Sequence, residues 1–556
     1  MDRPGRGHRP VSAQRIAVAC LVALQLACAH DPASPSVTTV TTTPPDWTKG
    51  AVCYEVFVRS FYDSNGDGIG DLNGLIQKLD YINDGGTGAG RDLGARCIWL
   101  MPVMPSPSYH GYDITDYYSV NPQYGTNDDF KRLVAEAHRR GIRVLVDMVL
   151  NHSSSEHPAF RAALADTASP YRAWYRFSPD ANQLGPWGQE VWHRSPVRAE
   201  YYYGVFYYTM PDLNYANVST RNEARKIAAF WLGDMGVDGF RLDAVPYLIE
   251  DGNQLRDTQG THTFLREYEA YLKSVKPDAF TVGEVWDATS LMLTYYPDQL
   301  DSNFAFEASD NLIKAVATGS GGNLFTAYKL LQATLPGNRY SPFQRNHDET
   351  RTLTALGGDV ARARVSATLL LTLPGLPFVY YGEEIGMTGD KPDERIRTPM
   401  QWNGAANAGF TTGSPWEALQ PDWTQATVAA EDPDTASLLN LYRRLIHLRS
   451  ANSALGMGEL VPLSTGNDAV VAFLRKDASG AVLVVANLGS GALDGAKVTS
   501  ADGALPAGQY TPTSLLGGTG GQPLTVGSNG RVQDYVPVAT LAPRAARVFQ
   551  VYTAAK

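Results

Sequence analysis

The chain has 556 residues, a formal net charge of −10, and 44% hydrophobic, 10% aromatic and 19% charged residues. That length and composition suit one large domain with one or two smaller modules and exclude a disordered chain. Nucleic acid is excluded as a partner because no basic run follows the N-terminus, whereas 29 Tyr and 10 Trp suit an aromatic-lined cleft for a ligand with apolar faces and hydroxyl edges.

Residues 1–29 read as a signal segment. Arg3, Arg6, Arg9 and Arg15 precede the apolar stretch Ile16 to Ala29, which is too short to span a bilayer. Leu26-Ala27-Cys28 resembles a lipoprotein box that would carry a lipid anchor on Cys28, with residues 30–46 as a Pro/Ser/Thr-rich tether. Gln25 departs from that box, and Ala27-Cys28-Ala29 equally fits ordinary signal-peptidase cleavage. Both readings export the chain, as a secreted protein or as a periplasmic or cell-surface lipoprotein. No transmembrane span is expected.

Strand and helix signals then alternate, as in a parallel barrel, over residues 47–151 and 210–460. Val52 to Phe57, Cys97 to Met101 and Ile142 to Met148 read as the first three strands, with a helix from Lys131 to Arg140 closed by Gly141. Cys53 and Cys97 fall on neighbouring strands, so they form either a disulfide or two buried thiols. Residues 152–209 break the rhythm and are rich in Trp, Tyr, Pro and Ser, which reads as an inserted domain forming one wall of a cleft. Gly236 to Asp243, Phe280 to Trp286, Ser302 to Glu307, Ser341 to Asp348 and Leu376 to Gly382 bring the strands to eight. Residues 461–556 carry short strands separated by Gly, Ser and Asn. The expected fold class is α/β: a (β/α)8 TIM barrel, a small domain inserted after strand 3, and a C-terminal antiparallel β-sandwich.

Several strands end abruptly in chemistry: Asp147 to His152, Arg241 to Asp243, Glu284, and His347-Asp348. A buried parallel strand delivers such groups at its C-terminal end. Cleaving a glycosidic bond needs two carboxyl groups. Asp243 is the candidate nucleophile, and Arg241, two residues earlier, points to the same side and is expected to hold it ionised. Glu284 follows an apolar run, and desolvation should raise its pKa as a general acid requires.

Together the motifs Asp147-x-x-x-Asn151-His152, Gly239-Phe240-Arg241-x-Asp243, Gly283-Glu284-x-Trp286 and Asn346-His347-Asp348 resemble those of the α-amylase family of glycoside hydrolases, from about Trp47 to the end. The resemblance implies Asp243, Glu284 and Asp348 as catalytic residues, with Asp348 gripping sugar hydroxyls. It implies His152 and His347 as hydrogen-bond donors to the sugar, Tyr112 as a stacking platform with His110 beside it, and Asp147 as the buttress of Arg241.

In Asp63-Ser64-Asn65-Gly66-Asp67-Gly68-Ile69-Gly70-Asp71, oxygen-bearing side chains alternate with Gly, as in a loop that wraps Ca²⁺; an Asx-turn loop without metal has the same pattern. The resemblance implies a structural calcium held by Asp63, Asn65, Asp67, the Ile69 carbonyl and Asp71. Ala244 resembles members that cleave α-1,4 bonds, and Met210-Pro211-Asp212-Leu213-Asn214 resembles the neopullulanase-like and intermediate α-amylase groups. Arg397-Thr398-Pro399-Met400-Gln401-Trp402 resembles the oligo-1,6-glucosidase, α-glucosidase and trehalose synthase side, a mixture similar to the intermediate α-amylases between those groups. The expected function is an exported, monomeric, retaining endo-α-amylase acting on starch, maltodextrins and maltooligosaccharides. An exo-acting α-glucosidase, a trehalose synthase-like transglycosylase and a neopullulanase or cyclomaltodextrinase are the alternatives. A non-catalytic barrel is disfavoured because all three carboxylates are present.

Overall fold

The computed structural model describes residues 44–86 and 90–553. The signal segment, Cys28 and most of the tether lie outside the described residues, and among those described no helix is long and apolar enough to cross a membrane.

Seven short parallel strands form the barrel sheet: β1 (Cys53–Val56), β2 (Cys97–Leu100), β3 (Arg143–Met148), then, beyond the inserted domain, β7 (Gly239–Leu242), β8 (Phe280–Gly283), β9 (Ser302–Asn303) and β10 (Phe378–Tyr380). Between β3 and β7 the inserted domain contributes β4 (Phe177–Ser178), β5 (Trp192–Arg194) and β6 (Tyr201–Tyr203), a small antiparallel sheet in the order β4-β6-β5. The barrel closes through the segment 340–342. Ser341 N–H donates to the Asn303 carbonyl at 2.9 Å, and the Pro342 carbonyl accepts from Phe378 N–H at 2.9 Å. The expected seventh strand from Ser341 to Asp348 thus shrinks to a bridge, because Pro342 has no N–H with which to extend a ladder.

Alternation sorts the strands' side chains into two cores. Val52, Tyr54, Val56, Ile98, Leu100, Val144 and Val146 face the surrounding helices. Cys53, Cys97, Trp99, Leu145, Phe280, Val282, Phe304 and Phe378 fill the barrel interior. Cys53 and Cys97 stand in register on β1 and β2 with Cα atoms 4.5 Å apart and are joined by a disulfide. The helix before β3 runs from Asn127 to Arg139, four residues earlier than apolar periodicity suggests. Its start is set by a capping box: Thr126 Oγ1 accepts from Asp129 N–H at 3.1 Å and Asp129 accepts from Thr126 N–H at 2.9 Å. Gly141, at φ +74°, turns the chain out of it into β3.

The C-terminal β-domain begins at Glu459 and is built on a six-stranded antiparallel sheet. Val471, Phe473, Val482 and Val484 pack toward the barrel, while Ala472, Leu474, Leu483 and Val485 pack into the domain's own core. Arg475, fully buried at this junction, donates to the carbonyls of Thr372 at 2.6 Å and Gly458 at 2.8 Å. Backbone dipoles are its hydrogen-bond partners there, and burial lowers its pKa to about 9.

Candidate active site

Register assembles the site. Asp147 on β3 lies opposite Arg241 on β7, and both point into the barrel above Trp99, whose ring centroid is 5.2 Å from the guanidinium carbon. Arg241 Nη1 donates to Asp147 Oδ1 at 2.8 Å and to Asp243 Oδ1 at 2.5 Å, and Nη2 pairs with Glu284 Oε2 at 2.8 Å. One guanidinium therefore ties three carboxylates, and the Asp243 and Glu284 carboxyls stand no further apart than it can span. Glu284 also accepts from the N–H of Ala244 at 3.0 Å. Ala244 adopts φ 49° and ψ 39°, a left-handed conformation that a β-branched residue would resist more strongly.

The electrostatics separate the carboxyls. Burial, opposed by Arg241 and helped by the charges of Asp243 and Asp348, pushes Glu284 up to about 7. Burial also lifts Asp243, to about 6, against the pull of Arg241. Arg241 thus limits the rise at Asp243 instead of depressing its pKa, as pairing alone suggested. Asp348 goes the other way: burial is outweighed by His347 and Arg397, which hold it well below the usual carboxylate range. Arg397 Nη2 contacts Asp348 at 2.8 Å and Asp393 at 3.1 Å.

His347, expected as a hydrogen-bond donor to the sugar, lies behind the cleft wall. It is fully buried, its Nδ1 donates to Glu55 at 2.6 Å, and its Nε2 lies 2.7 Å from the Tyr112 hydroxyl and 3.2 Å from Asp348. Those acids raise its pKa to about 10 despite burial, so it is a cation behind the cleft wall that orients Tyr112 and Asp348. Asp147 and Arg241 are likewise buried below the cleft surface and do not line it. Tyr112 stacks on the His347 ring at 13° and donates to Asp147 at 3.0 Å. His152 lines the cleft with Nε2 3.2 Å from the Tyr112 carbonyl, and burial lowers its pKa to about 4, so it is neutral.

The cleft is about 690 Å³. Asp243, Glu284 and Asp348 lie on its floor, with His110, Tyr112 and Arg397 among its lining residues; Trp187, Phe206 and Tyr207 come from the inserted domain. Trp286, half exposed, stacks on Phe306 at 4.8 Å and 11°. Sequence reasoning missed Glu55, Asp393, Arg256 and Tyr247, and took Arg397 only as a mark of subgroup. A lone Glu inside the strand run Val52 to Phe57 was the available signal for Glu55.

In the 63–71 loop, Asp63 accepts from the N–H groups of Asn65, Gly66 and Gly68, Asp67 from Ile69, and Asp71 from Ser64 and Gly74. The donor set is one a hard cation uses. As placed, no three acidic, His or Cys side chains among the described residues converge as a metal cage.

A (β/α)8 barrel with acid groups paired on one arginine at its strand ends defines a glycoside hydrolase site. The family model described as the α-amylase catalytic domain matches residues 55–458. The chain is 39% identical over 446 residues to α-amylase 3 of Dictyoglomus thermophilum, covering 80% of this chain and 85% of that one. It is 35% identical over 495 residues to the trehalose synthase/amylase TreS of Mycolicibacterium smegmatis, covering 78% and 81%. The crystal structure of an α-amylase from H. orenii superposes with a TM-score of 0.79 at 38% identity, covering 91% of this chain and all of that one. The chain belongs to the α-amylase family of glycoside hydrolases, family 13.

Proposed function

We propose that the protein is an exported, monomeric, retaining α-amylase that cleaves α-1,4-glucosidic bonds within starch, maltodextrins and maltooligosaccharides. The observation that carries this reading is the pairing of Asp243 and Glu284 on one guanidinium with their proton affinities ordered, about 6 and about 7. Two carboxyls held on one guanidinium support the roughly 5 Å spacing of retaining enzymes over the wider gap that admits a water. Asp243 attacks the anomeric carbon while Glu284 protonates the departing glycosidic oxygen. Glu284, now ionised, then takes a proton from the water that cleaves the glycosyl–Asp243 ester. Asp348, kept ionised by His347 and Arg397, binds sugar hydroxyls beside the reacting ring. Internal attack is supported by the aromatic surfaces that line the cleft beside the acids, Tyr112 and Trp187 among them.

A second reading, an exo-acting glucosidase or a trehalose-forming transferase, is favoured by the charged wall that Arg397 and Asp393 build beside Asp348 and by the likeness to a trehalose synthase/amylase. A product time course separates them. Internal attack predicts rapid loss of iodine colour from soluble starch, mixed short products and cleavage of end-blocked maltooligosaccharides. Early glucose with blocked substrates untouched would replace this reading by the second.

Calcium in the 63–71 loop is proposed as structural, with Asp63, Asn65, Asp67, the Ile69 carbonyl and Asp71 as ligands and no part in bond cleavage. Added Ca²⁺ is expected to raise the melting temperature by several degrees and a chelator to reverse it; a melting temperature indifferent to both would remove the metal. The Arg-rich start and apolar stretch support export. Fatty-acid labelling of the full-length chain that disappears in Cys28→Ser is the expected sign of an anchor, and an unlabelled, shortened, released chain is that of simple cleavage.

A further inference from the structure

The residues lining the cleft sort into two groups by the carboxylate they gather around. One group belongs to Asp348: Arg397 pairs with it and with Asp393, and the charges of all three act on His110. The other belongs to Glu284. There the charges of Arg256, Glu284 and Asp287 act on the Tyr247 hydroxyl, and the rings of Trp187 and Phe206 pack on Tyr247 at 5.4 Å and 5.6 Å. Glu284 protonates the departing glycosidic oxygen, so the sugar that leaves lies against the Glu284 group. The ring that stays lies against Asp348.

Arg256 is the cation of this second group. Its Nε donates to Asp257 Oδ2 at 2.5 Å and its Nη2 to Asp287 Oδ2 at 2.5 Å. Asp287 follows Glu284 by three residues, and Asp257 in turn accepts from the Tyr295 hydroxyl at 2.5 Å. The guanidinium is therefore held in place from two elements, with its carbon 5.5 Å from the centroid of the Tyr247 ring. Its Nη1 has no partner among the described residues, and the side chain, 28% exposed, lines the cleft. A fixed guanidinium with two free N–H groups donates to hydroxyl oxygens. Aromatic rings beside it cover the apolar faces of the same sugar.

We propose that Arg256 grips the departing sugar, its free Nη1 donating to hydroxyls of the glucose unit on the leaving side of the cleaved bond. It thereby sets both the rate of cleavage on glucans and how well an incoming sugar competes with water. The proposal rests on the reading of Asp243 and Glu284 as nucleophile and acid. In the second displacement, a sugar held at Arg256 presents a hydroxyl oxygen to the anomeric carbon of the glycosyl–Asp243 ester. The new C–O bond forms as the ester C–O bond breaks, and the hydroxyl proton goes to Glu284.

α-Maltosyl fluoride separates this role from a structural one, because its leaving group is a fluoride ion with no hydroxyls to grip. In Arg256→Met, kcat/KM on maltotetraose should fall about tenfold, the loss of one hydrogen bond from a charged donor. On maltosyl fluoride it should stay within about twofold of the parent, since that substrate makes no contact with Arg256. With maltose added as acceptor, the initial yield of maltotetraose from maltosyl fluoride should drop severalfold. Arg256→Lys, which keeps the charge without the fork, should recover part of both losses. The fold should survive Arg256→Met, because Asp257 keeps the Tyr295 hydroxyl and Asp287 keeps the Ala288 N–H at 2.7 Å. Equal losses on both substrates, or no loss on maltotetraose, would overturn the proposal. Turnover of maltosyl fluoride by the parent reads the catalytic pair alone, so a failure of that reading shows separately.

Discussion

Replacing Asp243 by Asn is expected to lower kcat by on the order of 10⁵-fold without unfolding the protein. The amide would keep the shape of the side chain, and Arg241 would retain Asp147 at 2.8 Å and Glu284 at 2.8 Å, so no charge is stranded. What disappears is the carboxylate that Arg241 holds one residue before the left-handed turn at Ala244, facing the cleft. Its charge also helps to raise Glu284, so the remaining acid should titrate lower in this variant. Turnover of blocked maltooligosaccharides together with a melting curve checks both points. Activity within tenfold of the parent would remove Asp243 as nucleophile.

Glu284→Gln is expected to cost about 10²–10⁴-fold in kcat on natural substrates, the usual contribution of general acid catalysis. A glucosyl fluoride, whose leaving group needs no proton, should recover much of the first step. The pH profile gives a second check. Asp243, raised to about 6, must be ionised, and Glu284, raised to about 7, must be protonated. The parent kcat/KM should therefore fall below about 6 as Asp243 gains a proton and above about 7 as Glu284 loses one. In Glu284→Gln the alkaline limb should vanish and the acid limb remain. An unchanged bell would assign the acid role elsewhere.

The parts of the site that sequence made legible are those a strand delivers. Asp243 and Glu284 each follow directly on a strand and Arg241 lies inside one, and a period of two tells which side chains face inward. The barrel as a class followed from the same runs. What was not legible depends on contacts across long separations. Arg397 reaches Asp348 from 49 residues away, out of a loop with no period, and Glu55 meets His347 across 292 residues. Glu55 looks locally like one charge in a strand, and only closure of the barrel puts it under His347. The inserted domain was legible as a cleft wall from its aromatics, but its strands are two or three residues long, too short for a period to mark their register. The seventh strand misled for a different reason: its end at Asn346-His347-Asp348 looks like the other strand ends, but Pro342 has no N–H with which to extend a ladder.

The central step is the bond that Asp243 forms to the sugar with Glu284 as its partner, and the stereochemistry of the product reports on that most directly. Proton NMR on the first sugars released from a maltooligosaccharide, before mutarotation, should show the new reducing end as the α-anomer, since two displacements at one carbon restore the starting configuration. Initial release of the β-anomer would mean a single displacement by water and would contradict the assignment of Asp243 as nucleophile.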